Sequence, residues 1–593
     1  MTRIHASLLA AASAIALASC ASQPSEPNGP VDQIADEKAG PDKNGVVVTG
    51  QLMADGRAEA KRADRPREAQ AGQGYAYLAP PPPPPSAMPS QPYAQTAIQP
   101  RPGDIDRENY KNVEINPVKL VSEDPVSTFS IDVDTASYSN VRRMLNAGAL
   151  PPKDAVRIEE LINYFDYDYA LPKSKDTPFE TTVTVTPSPW STGRQLMHIG
   201  VQGYDISRDS RPPLNLTLLI DVSGSMSSDD KLPLAIKSLK MLVDQMSEKD
   251  RISIAVYAGA AGTVLEPTAD KEKIRAALDR LSAGGSTAGG EGLRLAYNLA
   301  KQNFSKNSVN RVMLLTDGDF NVGINNPEQL EDFVGRERES GVYLSVLGFG
   351  TGNYNDLLMQ KLAQSGNGMA SYIDNLNEAR KVLSDDLSGS MFSIANDVKI
   401  QVEFNPAKVA EYRLIGYETR LLNREDFNND KVDNDKVDAG EIGAGTSVTA
   451  IYEFTPVGSD ARLIDPSRYK PQPVSATNSG EFAFLKLRYK TPGADKSKLV
   501  DRPITEKDAV SDIAKAPEAT RFATSVAAYG EMLRGDPYLD KAFTWDSVID
   551  LANGAKGKDE FGYRAEFIQL ARLAKTAASQ QPLKPIGGRV GGQ

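Results

Sequence analysis

Two apolar runs, each ending in an aspartate, constrain this chain more than any other feature. Leu216-Thr217-Leu218-Leu219-Ile220 runs into Asp221, and Val312-Met313-Leu314-Leu315-Thr316 runs into Asp317. Runs with so few polar interruptions suit strands buried on both faces, the condition of a parallel sheet. The surrounding pattern agrees. Strands are predicted at 214–220, 252–257, 312–315, 342–349 and 369–373, and helices at 232–246, 271–281, 291–303, 327–340, 354–364 and 378–388. Alternation of this kind predicts an α/β fold with a mostly parallel sheet and helices on both faces. Sites in such sheets lie at the carboxyl ends of strands, which is where Asp221 and Asp317 fall.

Asp221-Val222-Ser223-Gly224-Ser225 sets a carboxylate and two hydroxyls at alternate positions. Ser286-Thr287 lies in a glycine-rich loop from Ala283 to Gly290, and Asp317 is followed by Gly318. Hydroxyls and carboxylates are hard oxygen ligands that suit Mg²⁺ or Mn²⁺ rather than zinc or copper. Taken singly, each segment is also an ordinary turn or helix cap. Taken together and in this order, they resemble the metal-ion-dependent adhesion site of von Willebrand factor A domains. The resemblance implies a divalent metal held by Asp221, Ser223, Ser225, Thr287 and Asp317.

At 593 residues the chain is too long for one core. Its net charge of -11 argues against nucleic acid, because phosphate binding needs clustered Lys and Arg. It argues equally against electrostatic docking on anionic lipid. Cys20 is the only cysteine, so no disulfide forms within the chain. The histidines are His5 and His198 alone, which disfavours His-based zinc chemistry and a Ser-His-Asp triad.

The start of the chain explains the cysteine. Arg3 precedes an apolar stretch at 6–18, too short to span a bilayer and suited to a signal-peptide core. Leu17-Ala18-Ser19-Cys20 resembles a bacterial lipobox, which implies lipidation of Cys20 as the anchor. No Asp follows the cysteine directly, and by resemblance to enterobacterial sorting this implies the outer membrane. No later run is apolar enough to span a membrane.

The chain therefore divides into a signal peptide at 1–19, a Pro-rich disordered tether at 20–107, and an N-terminal region of helices and strands at 108–212. The α/β domain follows at 213–395, then a β-rich region at 396–495, a helical region at 496–580 and a tail at 581–593. Strands at 181–186 and 196–201 are predicted to pair with later ones at 398–404, 411–417, 447–454 and 481–489. The α/β domain would then be an insertion into one β-rich body, since two early strands alone are marginal. A helix is predicted to open at Pro151, with Val156, Ile158, Leu161, Ile162 and Phe165 on its apolar face.

Three further motifs are weaker. Asp132-Val133-Asp134-Thr135 echoes the metal sequence but reads as a strand end with a helix cap. Gly348-Phe349-Gly350-Thr351-Gly352 lacks the third glycine of a dinucleotide loop, since 353 is Asn, and reads as a strand-to-helix turn. Asp426, Asn428 and Asp430 have calcium-loop spacing. The glycine position is Lys431 and the twelfth is Val437, so a solvated hairpin tip is preferred to a Ca²⁺ site.

Three segments, Val126 to Tyr138, Arg157 to Phe165 and Phe561 to Phe567, are similar to the YfbK-type von Willebrand A lipoproteins of bacteria, with the likeness running from about 108 to 578. The expected function is a lipid-anchored envelope protein that binds a protein partner. The partner's Asp or Glu carboxylate would complete the metal's coordination. No nucleotide and no catalytic residue is expected. A subunit of an AAA⁺ or chelatase-like assembly and a metal-dependent hydrolase are the alternatives.

Overall fold

The computed structural model describes residues 110–580, apart from 111, 113, 132, 208, 286–288, 319–326, 353, 430–439 and 466–479. At its centre a six-stranded sheet runs in the order Ala370–Ile373, Val342–Phe349, Val309–Thr316, Leu214–Asp221, Arg251–Tyr257, Ala261–Thr268. Neighbours are parallel except the last pair. Every residue of Leu214–Asp221 is buried. The two faces explain why. Leu216, Leu218 and Ile220 pack in one core with Leu232, Ala235 and Leu239 of helix Leu232–Gln245. Leu219 points the other way, into a core with Leu293, Ala296 and Tyr297 of helix Gly289–Gln302. Side chains alternate along a strand, so burial on both faces requires an unbroken apolar run.

Ala261–Thr268 is an antiparallel edge strand that the sequence pattern does not predict. It is only partly buried, and its Gly262 and Pro267 weaken a strand reading, as edge positions tolerate.

Two further sheets pack face to face. In one, the order is Lys119–Leu120, Val409–Ile415, Ser447–Pro456, Gln195–Gly203, Phe179–Pro187. Here Gln195–Gly203, which precedes the central domain, pairs antiparallel with Ser447–Pro456, which follows it, His198 lying opposite Ile451. Of the expected partners, 447–456 pairs directly with an early strand and 409–415 joins the same sheet, whereas 393–404 and 481–490 lie in the other sheet. The other sheet joins Ile442–Gly443, Ser393–Phe404, Glu481–Lys490 and Lys498–Thr505, with Val126–Ser130 also on Ser393–Phe404. Aromatic rings bridge the two sheets, Phe404 stacking on Tyr412 at 4.2 Å. A helical core completes this platform. Helices Glu518–Arg534, Trp545–Asn553 and Tyr563–Ser579 pack on Ala136–Asn146 and Ile158–Ile162 around Phe165, Phe522 and Phe567.

The helix predicted from Pro151 is broken. A 3₁₀ turn at Lys153–Ala155 is followed by helix Ile158–Ile162. Arg157 between them is extended, and its guanidinium reaches Asp356 of the central domain at 2.7 Å. A tertiary ion pair overrides the helical pattern there. The helix cap expected in this segment falls on Thr135, which makes no side-chain cap hydrogen bond, and Asp134 reaches elsewhere. Its Oδ1 accepts the backbone N–H of Ala370 at 3.0 Å, tying the N-terminal region to an edge of the central sheet. The helix predicted at 378–388 is three pieces: Leu376–Arg380, a π-helical turn at Lys381–Asp385, and Leu387–Met391.

Candidate metal site

Asp221 closes one strand and Asp317 directly follows its neighbour. Those strands lie in parallel register, Ile220 opposite Leu315, so both carboxylates leave the same end of the sheet. Both are buried. Asp221 Oδ1 accepts the Ser223 backbone N–H at 2.8 Å. The Ser223 and Ser225 hydroxyls meet at 3.0 Å. Buried Met226 pins the short turn Gly224–Ser227 to the core, while Ser225 stays exposed. The glycine-rich loop is drawn onto this turn. Gly284 N–H donates to Val222 O at 2.7 Å, and Gly224 N–H donates to Gly285 O at 3.0 Å. Ser286 and Thr287, which follow, lie outside the described residues.

The electrostatics of the pocket favour a cation. Asp221 Oδ2 is buried and makes no hydrogen bond of normal geometry among the described residues. Burial pushes the Asp221 carboxyl up to about 6; contacts with Ser223 pull it back, the charge of Asp317 adds to the rise, and the Tyr257 hydroxyl opposes it. A buried carboxylate with few partners is costly, and two in one place are costlier.

One cation is already built in, and the sequence pattern gives no hint of it. Lys231 Nζ donates to Asp317 Oδ2 at 2.8 Å. Its stem lies across Gly350, where an added Cβ would come within 2.2 Å of Lys231 Cγ. Gly350 also has φ of +77°, a conformation that favours glycine. The Gly-Phe-Gly-Thr-Gly segment is thus a strand-to-helix turn with a second purpose, a slot for a lysine.

Hard oxygen donors dominate the pocket. Among the described residues no group of three or more His, Cys, Asp or Glu is gathered for a metal, so an ion here would depend on the two serine hydroxyls. Two hydroxyls and two buried carboxylates fit Mg²⁺ or Mn²⁺.

Sequence comparison adds the lineage. Residues 215–385 match the profile described as von Willebrand factor type A domain, residues 104–198 one described as von Willebrand factor, and residues 389–577 one described as Uncharacterized protein YfbK, C-terminal. Escherichia coli (strain K12) YfbK is 45% identical over 476 residues, covering 78% of this chain and 80% of that protein. The chain belongs to the YfbK family. Family members of this kind carry a von Willebrand A domain, a type that generally mediates protein interactions. An uncharacterized protein of Synechocystis sp. is 34% identical over 192 residues, 32% of this chain and 44% of that one. A solved von Willebrand factor type A protein from Catenulispora acidiphila is similar at 16% identity and a TM-score of 0.38, covering 68% of this chain and 91% of that one.

The other residues singled out from sequence stand apart. Asp426 Oδ2 accepts from Asn423 at 2.9 Å and Asn428 Oδ1 accepts from Arg488 at 2.9 Å, so both are engaged within the protein. Asp430 and Cys20 lie outside the described residues. His198 is buried in the platform, its Nε2 2.9 Å from Thr524 Oγ1, and burial lowers it to about 3, so it stays neutral. A cavity of about 420 Å³ opens between Asn163, Asp205, Lys381 and Thr446, and shares no lining residue with the aspartate pair. Among the described residues no helix is long and apolar enough to cross a membrane.

Proposed function

We propose that this protein is a lipid-anchored, metal-dependent binding module of the bacterial cell envelope, tethered through Cys20. The observation that carries the reading is the Oδ2 of buried Asp221, which makes no hydrogen bond of normal geometry among the described residues, beside the Ser223–Ser225 hydroxyl pair. Asp221, Ser223 and Ser225 would hold Mg²⁺ or Mn²⁺, with Asp317 and Thr287 completing the set. When bound, the ion supplies a positive centre that a partner's Asp or Glu carboxylate can meet. The protein's own residues do the rest. The Ser223 N–H orients Asp221, Met226 fixes the turn, and exposed Ser225 marks the side open to a partner. Binding is favoured over hydrolysis because the one histidine outside the leader is engaged with Thr524 in the platform.

The test is calorimetric titration with Mg²⁺ and Mn²⁺, followed by pull-down from envelope extract with Mg²⁺ or with EDTA. Asp221→Ala should lose both ion uptake and ion-dependent capture while keeping its far-UV spectrum. Full capture in EDTA, with Asp221→Ala indistinguishable from wild type, would overturn the reading.

A further inference from the structure

Lys231 is held at four points. Its backbone N–H donates to Ser228 O at 3.0 Å, and its carbonyl accepts from Ala235 N–H at 2.8 Å. Its stem occupies the slot over Gly350, and its ammonium rests on Asp317. The side chain is 8% exposed. A lysine is seldom buried without a specific partner, because its ammonium loses hydration. Here the partner is one of the two carboxylates assigned to the metal.

We propose that Lys231 is a tethered cation that competes with the divalent ion for Asp317. This rests on the metal reading above. Without an ion, the ammonium pairs with Asp317 and keeps that end of the sheet from carrying two buried carboxylates with no cation beside them. With an ion, the ammonium either gives up Asp317 or stands beside a second positive charge, and both weaken the ion's hold. A unit charge sharing a carboxylate with a divalent ion weakens it by roughly tenfold even at the dielectric of bulk water. The consequence is a site tuned to bind its ion weakly until a partner carboxylate adds negative charge. By linkage, ion and partner then strengthen each other by the same factor.

The experiment is titration of the full chain with Mn²⁺, followed by calorimetry and by the electron-spin signal of free Mn²⁺. Lys231→Met should bind Mn²⁺ about tenfold tighter than wild type. In EDTA it should melt lower, because Asp317 loses its ammonium, and saturating Mn²⁺ should raise its midpoint by more than that of wild type. Lys231→Gln keeps a donor for Asp317 without the charge. It is expected to behave in the same direction and serves where the Met variant fails to fold. Ion binding by Lys231→Met alone would also support the proposal. Equal or weaker binding by the variant, with wild type still binding, overturns the proposal and leaves the metal reading standing. No ion binding by wild type or either variant overturns both.

Discussion

Replacing Arg142 with methionine should expose how firmly the central domain is bolted to its platform. Arg142 lies on helix Ala136–Asn146 and is fully buried. Its guanidinium bonds Asp374, reaches Glu378 at 2.7 Å and Glu566 at 3.1 Å, and donates to the Tyr164 hydroxyl at 3.0 Å. Three parts of the fold therefore meet on one side chain. Methionine leaves no large void, so the loss is mainly electrostatic. Asp374 and Glu378 are 5% and 0% exposed and would lose this cation. Glu566 is 28% exposed and regains water at little cost. Stranding a buried charge costs about 3–5 kcal/mol. With an unfolding entropy of about 2.1 cal/mol/K per residue, a cooperative unit of roughly 450 residues would lose about 3–5 °C. A larger shift would mean that a smaller part unfolds on its own.

The loss should depend on pH. Burial raises the Glu378 carboxyl, and Arg142 is the first influence pulling it down. Without Arg142 its folded-state value climbs further above the unfolded one. The stability tied to that proton is then complete in acid and disappears as pH rises. Scanning calorimetry at pH 5 and pH 8 should find the smaller penalty at pH 5, and Glu378→Gln in the Met background should recover stability at pH 8. A penalty below about 1 kcal/mol, or one identical at both pH values, would refute the reasoning.

Two more outcomes follow from other places in the chain. Glu531 is buried beside Arg413 at 2.5 Å with Asp536 near, and burial pushes its carboxyl up to about 8. Its stabilising contribution is full below the ordinary carboxylate range and lost as pH rises through about 8, so Glu531→Gln should flatten the fall in melting midpoint between pH 5 and 9; equal slopes would contradict this. Cys20→Ser should move the protein from the membrane fraction to the soluble one, and unchanged retention after a salt wash would remove the anchor from the argument.

The central domain was legible because physics leaves its sequence little choice. A strand covered on both faces must be continuously apolar, so 214–220 and 312–315 stand out, and a carboxylate follows each run at the carboxyl end of the sheet, where sites in such folds lie. What escaped depends on contacts between distant residues. Lys231 before a helix looks like any solvated lysine, and its partner Asp317 lies 86 residues away. Gly350 seems a mere turn residue until the lysine stem is seen across it. Arg157 breaks a helix that its neighbours' periodicity supports, because its ion pair with Asp356 lies 199 residues off. Ala261–Thr268 is an edge strand, and half-exposed edges carry a weak apolar signal.

The pairing of Gln195–Gly203 with Ser447–Pro456 sets an order of events during synthesis. Gln195–Gly203 emerges first, followed by the whole central domain, whose βα units contact near neighbours in sequence. That domain can fold while the early strand still has one edge unpaired. Exposed edges of this sort recruit other chains. The edge is covered only when Ser447–Pro456 arrives, and the core behind Phe165 closes only with Phe567 on helix Tyr563–Ser579. The last helix therefore acts as a late seal. A chain stopped short of it would retain a central domain able to form, on a platform whose helical core stays open.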